Sequence, residues 1–215
     1  MKPLFVPPLP AGIPAAELPE VMDTSRLSWH PIASANWAEY PFRPQAAFRI
    51  AYTPEGFCLH FRVGEPDLRA RYGEDNGSVW TDSCVEFFLQ PTPDGPYYNI
   101  ECNCIGTLLL GVGTGRHDRV RIPAGELRAA DRYASLGRTP FETRPAQGAW
   151  EVALSVPYGL FSRHTLAPKP GDTMRGNFYK CGDELPRPHF LSWNPIRTPQ
   201  PDFHRPEWFG EMIFG

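Results

Sequence analysis

Apolar and polar residues alternate along most of the patterned stretches of this chain. From residue 84 to 90 the odd positions Val85, Phe87 and Leu89 are apolar, while the even ones carry Cys84, Glu86, Phe88 and Gln90. Successive side chains of a strand point to opposite faces. The pattern therefore predicts a strand with one core face and a second face holding a carboxylate among aromatics. Trp80 sits just before it, where a loop would hold the indole over that second face. Phe48, Ile50 and Tyr52 alternate with Arg49 and Ala51, and Phe57, Leu59, Phe61 and Val63 with Cys58, His60 and Arg62. Thr53-Pro54-Glu55-Gly56 lies between, with Pro early and Gly late as a turn requires, so the two runs predict a hairpin.

Residues 97–104 form a further strand. Tyr98, Ile100, Cys102 and Cys104 face the core, and Tyr97, Asn99, Glu101 and Asn103 face away. Paired with 85–89 through a turn at 91–96, this strand puts Glu86 on one face with Glu101 or Asn103. Strands are also expected at 106–112, 150–156, 174–181, 190–193 and 211–214. A short helix fits 124–130, a single helical turn 158–161, and polar loops 65–78 and 195–208. Eight to eleven short strands with almost no helix indicate an all-β protein, a two-sheet antiparallel β-sandwich. Residues 1–26, rich in proline, are expected to run extended over the surface of a single β-sandwich domain at 27–215.

Composition narrows the function classes. The chain has 215 residues, 26 of them Pro and 19 Gly, which breaks it too often for long helices. A net charge of -3 without a basic stripe argues against nucleic acid as a partner. Five cysteines, an odd number with no CxxC pair, read as buried thiols rather than a zinc or redox motif. Gly111, Gly113 and Gly115 make no dinucleotide fingerprint. No secretory signal and no apolar membrane span is visible, so the expectation is a cytoplasmic protein unless a signal has been removed, with no membrane partner.

Trp80-x-Asp82-Ser83-x-Val85-Glu86-x-Phe88-Leu89, the Tyr-rich strand ending at Asn103, and Phe209-Gly210 before the last strand resemble the family 9 carbohydrate-binding modules. Asn-Phe-Tyr-Lys-Cys-Gly-Asp (177–183), Leu-Ser-Trp-Asn-Pro-Ile (191–196) and Pro-Asp-Phe-His-Arg-Pro-Glu-Trp-Phe-Gly (201–210) bring it closer to the family-9-like proteins. The resemblance implies a distorted jelly roll and non-catalytic binding of a mono- or oligosaccharide, in support of carbohydrate catabolism. It implies a sugar held between Trp80 and Phe203, with Glu86 below, Asn103 on an amide position and Lys180 on a position that is usually amide. Glu101 falls where binding members place an arginine, so an acceptor replaces a donor, and Lys180 is the expected partner for it. His204 joins the set as a neighbour of Phe203. Family members are often calcium-stabilised, but the sequence does not place the ligands. A monomer is expected.

Other readings attach to the same residues. Trp80 suits a sandwich edge, Phe203 a hydrophobic plug under its loop, Glu86 a cross-sheet arginine partner, and Asp82 a turn cap. Asp82, Glu86 and Glu101 would supply the carboxylates of a glycoside hydrolase, although Asp82 and Glu86 share a face. Met174 with one of the histidines would suit a haem-binding sandwich. A structural domain with a degenerate site is the remaining alternative.

Overall fold

In the computed structural model, which describes residues 2–215, the alternating runs pair into two facing sheets. Along the chain run β1 (Leu4–Val6), α1 (Leu18–Thr24), β2 (His30–Pro31), β3 (Ser34–Ala35), β4 (Gln45–Tyr52), β5 (Gly56–Gly64) and β6 (Asp67–Ala70). A 3-10 turn at Val79–Thr81 leads into β7 (Cys84–Gln90), β8 (Tyr97–Asn103), β9 (Leu108–Gly113) and β10 (Val120–Arg121). α2 (Ala124–Leu127) precedes β11 (Asp131–Ala134), β12 (Phe141–Pro145) and β13 (Trp150–Pro157). β14 (Thr173–Cys181), β15 (Phe190–Ser192) and β16 (Gly210–Phe214) follow.

The larger sheet has the order β1-β16-β14-β7-β8-β9-β10, with β15 and β3 continuing from β14. The second is β11-β13-β5-β4-β2, and β6 pairs with β12 as a separate ribbon. Pairing is antiparallel except where β1 runs parallel to β16. The expected hairpin is β4–β5, in register from Gln45 opposite Gly64 to Tyr52 opposite Phe57. Phe178 stacks on Phe48 of the facing sheet at 3.5 Å and lies 4.7 Å from its neighbour Phe87. Val85, Leu89, Ile100 and Leu110 from one sheet and Leu59, Phe61 and Val152 from the other complete this core.

Three expectations change. The N-terminal segment is not extended throughout, because α1 lies within it. Pro19 falls in the first turn of that helix, where its missing N–H would have no partner anyway. Leu18 and Met22, four apart and fully buried, pack with Ala51, Cys58 and Ala153 on the back of the second sheet. The 65–78 loop contains β6, paired to a strand at 141–145 that the pattern does not reveal. The helix at 124–130 ends at Leu127 and gives way to β11. The additional strands are five residues long or shorter, too short for a period of two to register.

The outer face of the larger sheet is what matters for function. A second apolar cluster lies there, with Phe88, Tyr97 and Tyr179 from the strands and Trp37, Phe203 and Phe209 from loops. Asn177 holds the covering loop, donating from Nδ2 to the Asn194 carbonyl and accepting at Oδ1 from the Asn194 amide, both at 2.9 Å. Asn194 donates in turn to the Trp208 carbonyl at 2.6 Å, and Trp37 Nε1 to the Thr198 carbonyl at 2.9 Å. Gly210 packs against the Trp193 ring, where a Cβ would come within 2.5 Å. Much of the 177–183, 191–196 and 201–210 motif set thus serves to lay one long loop across the sheet.

Candidate functional site

The strand register builds the site. Glu86 of β7 stands directly opposite Glu101 of β8, with Tyr179 of β14 on its other side. Trp80 hangs from the 3-10 turn, and its carbonyl accepts from the Asp183 amide at 3.3 Å and from the Cys181 thiol at 3.5 Å. Phe203 lies flat on Tyr179, with ring centroids 4.2 Å apart and planes 8° apart. The Tyr179 hydroxyl donates to the Phe203 carbonyl at 3.1 Å, which fixes the loop as well as the ring. His204 meets the Tyr97 hydroxyl through Nδ1 at 3.0 Å and packs 4.9 Å from Phe88.

Trp80, Glu86, Glu101, Phe203 and His204 border a cavity of about 370 Å³, within the range of roughly 300–1,000 Å³ usual for small-ligand pockets. Trp80, Phe190, Phe203 and His204 supply its aromatic lining. Glu86 and Glu101 line it at the level of the sheet, with Asp183 beside them. The segment between β9 and β10 brings Arg116, His117 and Arg119 to the same cavity, and β10 brings Arg121.

Its electrostatics are dominated by carboxyls out of water. Burial pushes Glu86 well above the usual carboxylate range, and the neighbouring Glu101 charge adds to the shift. Burial likewise raises Glu101 to about 7, against the pull of its Asn99 hydrogen bond. Asp183 rises to about 6, again through burial. Two opposed carboxylates in a dry floor cannot both ionise freely, so this pair retains a proton near neutrality. Asn99 Nδ2 donates to Glu101 at 2.7 Å, and Arg119 Nε donates to Asn99 at 2.6 Å. The guanidinium therefore reaches Glu101 only through an amide. Burial drops His204 to about 3, which leaves it neutral above that pH.

A pH signature follows. Folded Glu101 keeps its proton up to about pH 7, whereas the unfolded chain releases it near the ordinary 4.5. The unfolded state then binds fewer protons in that window, so this group's contribution to stability falls as pH rises from 4.5 towards 7. Glu86 and Glu101 share this decline, so Glu101→Gln should flatten it. Urea denaturation across that window reads the slope, and an unchanged slope in the variant would refute the assignment.

Trp80, Glu86, Glu101, Phe203 and His204 thus meet at one pocket, but Lys180 and Asn103 do not. Lys180 is opposite Val85 in the β7–β14 register, on the inner face of the sheet. Its Nζ pairs with Glu65 at 2.9 Å and donates to His189 Nε2 and the Cys181 carbonyl at 2.8 and 2.7 Å. The expected Lys180–Glu101 pair is therefore absent; strand alternation sends the two side chains to opposite faces. Asn103 organises the turn after β8, accepting from the amides of Ile105 and Thr107 and donating to Asp82 and the Tyr72 carbonyl. Asp82, fully buried, accepts from the amides of Arg71 and Tyr72. Its role is local, as a turn cap would have it.

A metal would find one set of donors among the described residues: Cys84, Cys181 and Glu86, whose ligand atoms lie within 4.8 Å of one another. Two thiols and one carboxylate are a soft set and do not match calcium, which takes six to eight oxygens. Both thiols are raised by burial, Cys84 to about 12, and Cys181 donates to Glu86 at 3.0 Å.

Several pocket residues escape a reading of the sequence. Asn99 was within reach, because it shares the outward face with Glu101. Asp183 closes the 177–183 motif, yet nothing in its spacing says that it turns towards Trp80. Arg116 and Arg119 arrive through a loop path that carries no periodic signal, and Phe190 opens a strand of three residues, too short for alternation to give its face.

The comparisons with known proteins agree with the fold and give its family. The model of carbohydrate-binding family 9 matches residues 16–214. A crystal structure of a candidate carbohydrate-binding protein from Bacteroides uniformis is 40% identical, with a TM-score of 0.95 over 100% of this chain and 99% of that one. A family 9 module from Caldicellulosiruptor kristjanssonii in complex with glucose aligns over 100% of this chain and 96% of its own, at 12% identity and a TM-score of 0.65. The same kind of module with cellotriose gives 12% identity and 0.60, over 99% and 93%. At that identity the two sugar complexes speak for the fold alone. The comparison with curated proteins returned no match.

Proposed function

Because the chain belongs to carbohydrate-binding family 9, we propose that the pocket beneath Trp80 holds a mono- or oligosaccharide end without catalysing its cleavage. One observation carries this reading: a partly buried indole and a second aromatic ring, Phe203, line the same cavity as a row of buried polar acceptors. A pyranose needs both. Its C–H face packs on an aromatic ring, where burial contributes about 25 cal/mol per Å². Its hydroxyls need partners, and bonds to charged groups contribute roughly 1.5–3 kcal/mol each. Glu86, Glu101, Asp183 and Asn99 supply acceptors here, with Asn99 held in place by Arg119.

Hydrolysis has less support. It requires two carboxyls flanking a glycosidic bond in different protonation roles. Asp82 is engaged by backbone amides, and Glu86 and Glu101 stand side by side on one floor.

Calorimetric titration with a panel of neutral, amino and acidic mono- and disaccharides tests the proposal. At least one should bind with a Kd on the order of micromolar to millimolar, the range expected of so small a contact. Silence across the whole panel would refute it.

A further inference from the structure

Glu86 and Glu101 face one another across β7 and β8, are 3% and 5% exposed, and make no ion pair with a cationic side chain among the described residues. Glu86 accepts from the Cys181 thiol, and Glu101 Oε1 accepts from Asn99. Glu101 Oε2 has no hydrogen-bond partner among the described residues. A buried carboxylate oxygen without a donor is destabilising, and two such groups together more so. Asp183 adds a third carboxyl to the same cavity, also without an ion-pair partner among the described residues.

The cations nearby act on these carboxyls only from a distance, Arg119 and Arg121 on Glu101 and Arg116 on Asp183, and bond to other groups. Lys180 is committed to Glu65 on the opposite face of the sheet. Arg119 directs its guanidinium to Asn99 and to the carbonyls of Tyr97, Gly111 and Gly115. Arg121 donates to the Asn76 carbonyl, and Arg116 lies 4.0 Å from Asp202. With one proton retained, the pair keeps a negative charge that no cationic side chain among the described residues bonds, and an occupant with both a cation and a sugar face would meet it.

We propose that the pocket selects a saccharide bearing a protonated amine, a 2-amino-2-deoxyhexose or the amino-sugar end of an oligosaccharide, whose ammonium group seats between Glu86 and Glu101. This rests on the carbohydrate-binding reading and narrows it to a substrate class. The ammonium supplies donors to the orphaned Glu101 oxygen and to Glu86 while the ring packs on Trp80. A neutral hexose would leave the two carboxyls without a cation, and an N-acetylated one would remove the charge and add bulk at that point.

The test is calorimetry at pH 7 with four probes on the intact chain: D-glucosamine, D-glucose, N-acetyl-D-glucosamine and cyclohexylamine. Glucosamine should bind at least about tenfold more tightly than either glucose or N-acetylglucosamine, as a charge-assisted bond implies. Cyclohexylamine, with a ring and an amine but no hydroxyls, should bind more weakly than glucosamine. In Glu101→Gln the ratio of glucosamine to glucose affinity should fall to about one, whatever happens to the absolute affinities, with thermal melting used to confirm folding. Glucose equal to or tighter than glucosamine on the wild-type chain would overturn the inference and leave carbohydrate binding standing. Cyclohexylamine matching glucosamine would overturn it in favour of a simple amine site. No binding by any saccharide would overturn both.

Discussion

Lys180→Ala should destabilise the fold by about 3–5 kcal/mol, the usual consequence of removing one partner from a buried ion pair. Lys180 is fully buried, and its Nζ is the only cation paired with Glu65 among the described residues. The Glu65 carboxylate also accepts from Trp150 Nε1 at 2.8 Å, so it is anchored in the core and cannot turn out to water. His189 gives its Nδ1 proton to the Arg187 carbonyl, which leaves Nε2 as an acceptor for Lys180. Burial and the Lys180 charge depress His189 to about 2, so it is neutral and cannot replace the lost cation. Urea denaturation, followed through its midpoint and slope, measures the loss. Combining Lys180→Met with Glu65→Gln should recover most of it, since the glutamine carbonyl can still accept from Trp150. A loss below about 1 kcal/mol in the single variant would mean that water reaches the pair. The variant's folded fraction should bind sugar within about twofold of wild type, because Lys180 and the pocket lie on opposite faces. A large loss of affinity would return Lys180 to the binding set.

Trp80→Ala should do the reverse, leaving the fold and removing the ligand. The indole is partly exposed over the cavity, and the bonds that fix the turn run through its backbone carbonyl to Asp183 and Cys181. Alanine keeps that carbonyl, so Glu86 and Asp183 should hold their positions. Losing one aromatic wall removes roughly 1.5–3 kcal/mol of apolar contact, or about tenfold or more in Kd. Titration of the variant with the best wild-type sugar reads this, and the denaturation midpoint shows that the fold survives. Unchanged affinity would place the sugar elsewhere and sink the proposed pocket. Phe203 makes a poorer test, because its stacking on Tyr179 ties it to the loop as well as to the cavity.

The sandwich and the face that bears the site were legible in the residues. The alternation at 84–90 and 97–103 places Glu86 and Glu101 on the outward face, and β7 pairs with β8 in the register that sets them opposite one another. Trp80 before the strand lines the same cavity as Glu86, since a residue at the mouth of a strand stays near the face it enters. Lys180 shows where such reasoning stops. Motif position suggested a binding residue, but Phe178 in the core and Lys180 two residues on share one face of β14, while Tyr179 and Cys181 take the other. Applying the alternation to that strand separates Lys180 from Tyr179, but only the pairing with β7 shows which of the two looks at Glu86.

Local sequence thus determined the strands, their inward and outward faces, and the carboxylate that sits among aromatics, because side-chain direction in a strand depends only on its immediate neighbours. The tertiary structure decided what shares that face. Phe203, His204, Asp183 and Arg119 come from segments far apart in the chain, carried by loops whose paths are set by bonds such as those between Asn177 and Asn194. Whether a buried charge is paired depends on those paths. Lys180 finds Glu65 and is satisfied, while Glu101, on the other side of the same sheet, is left with an oxygen that no described residue bonds.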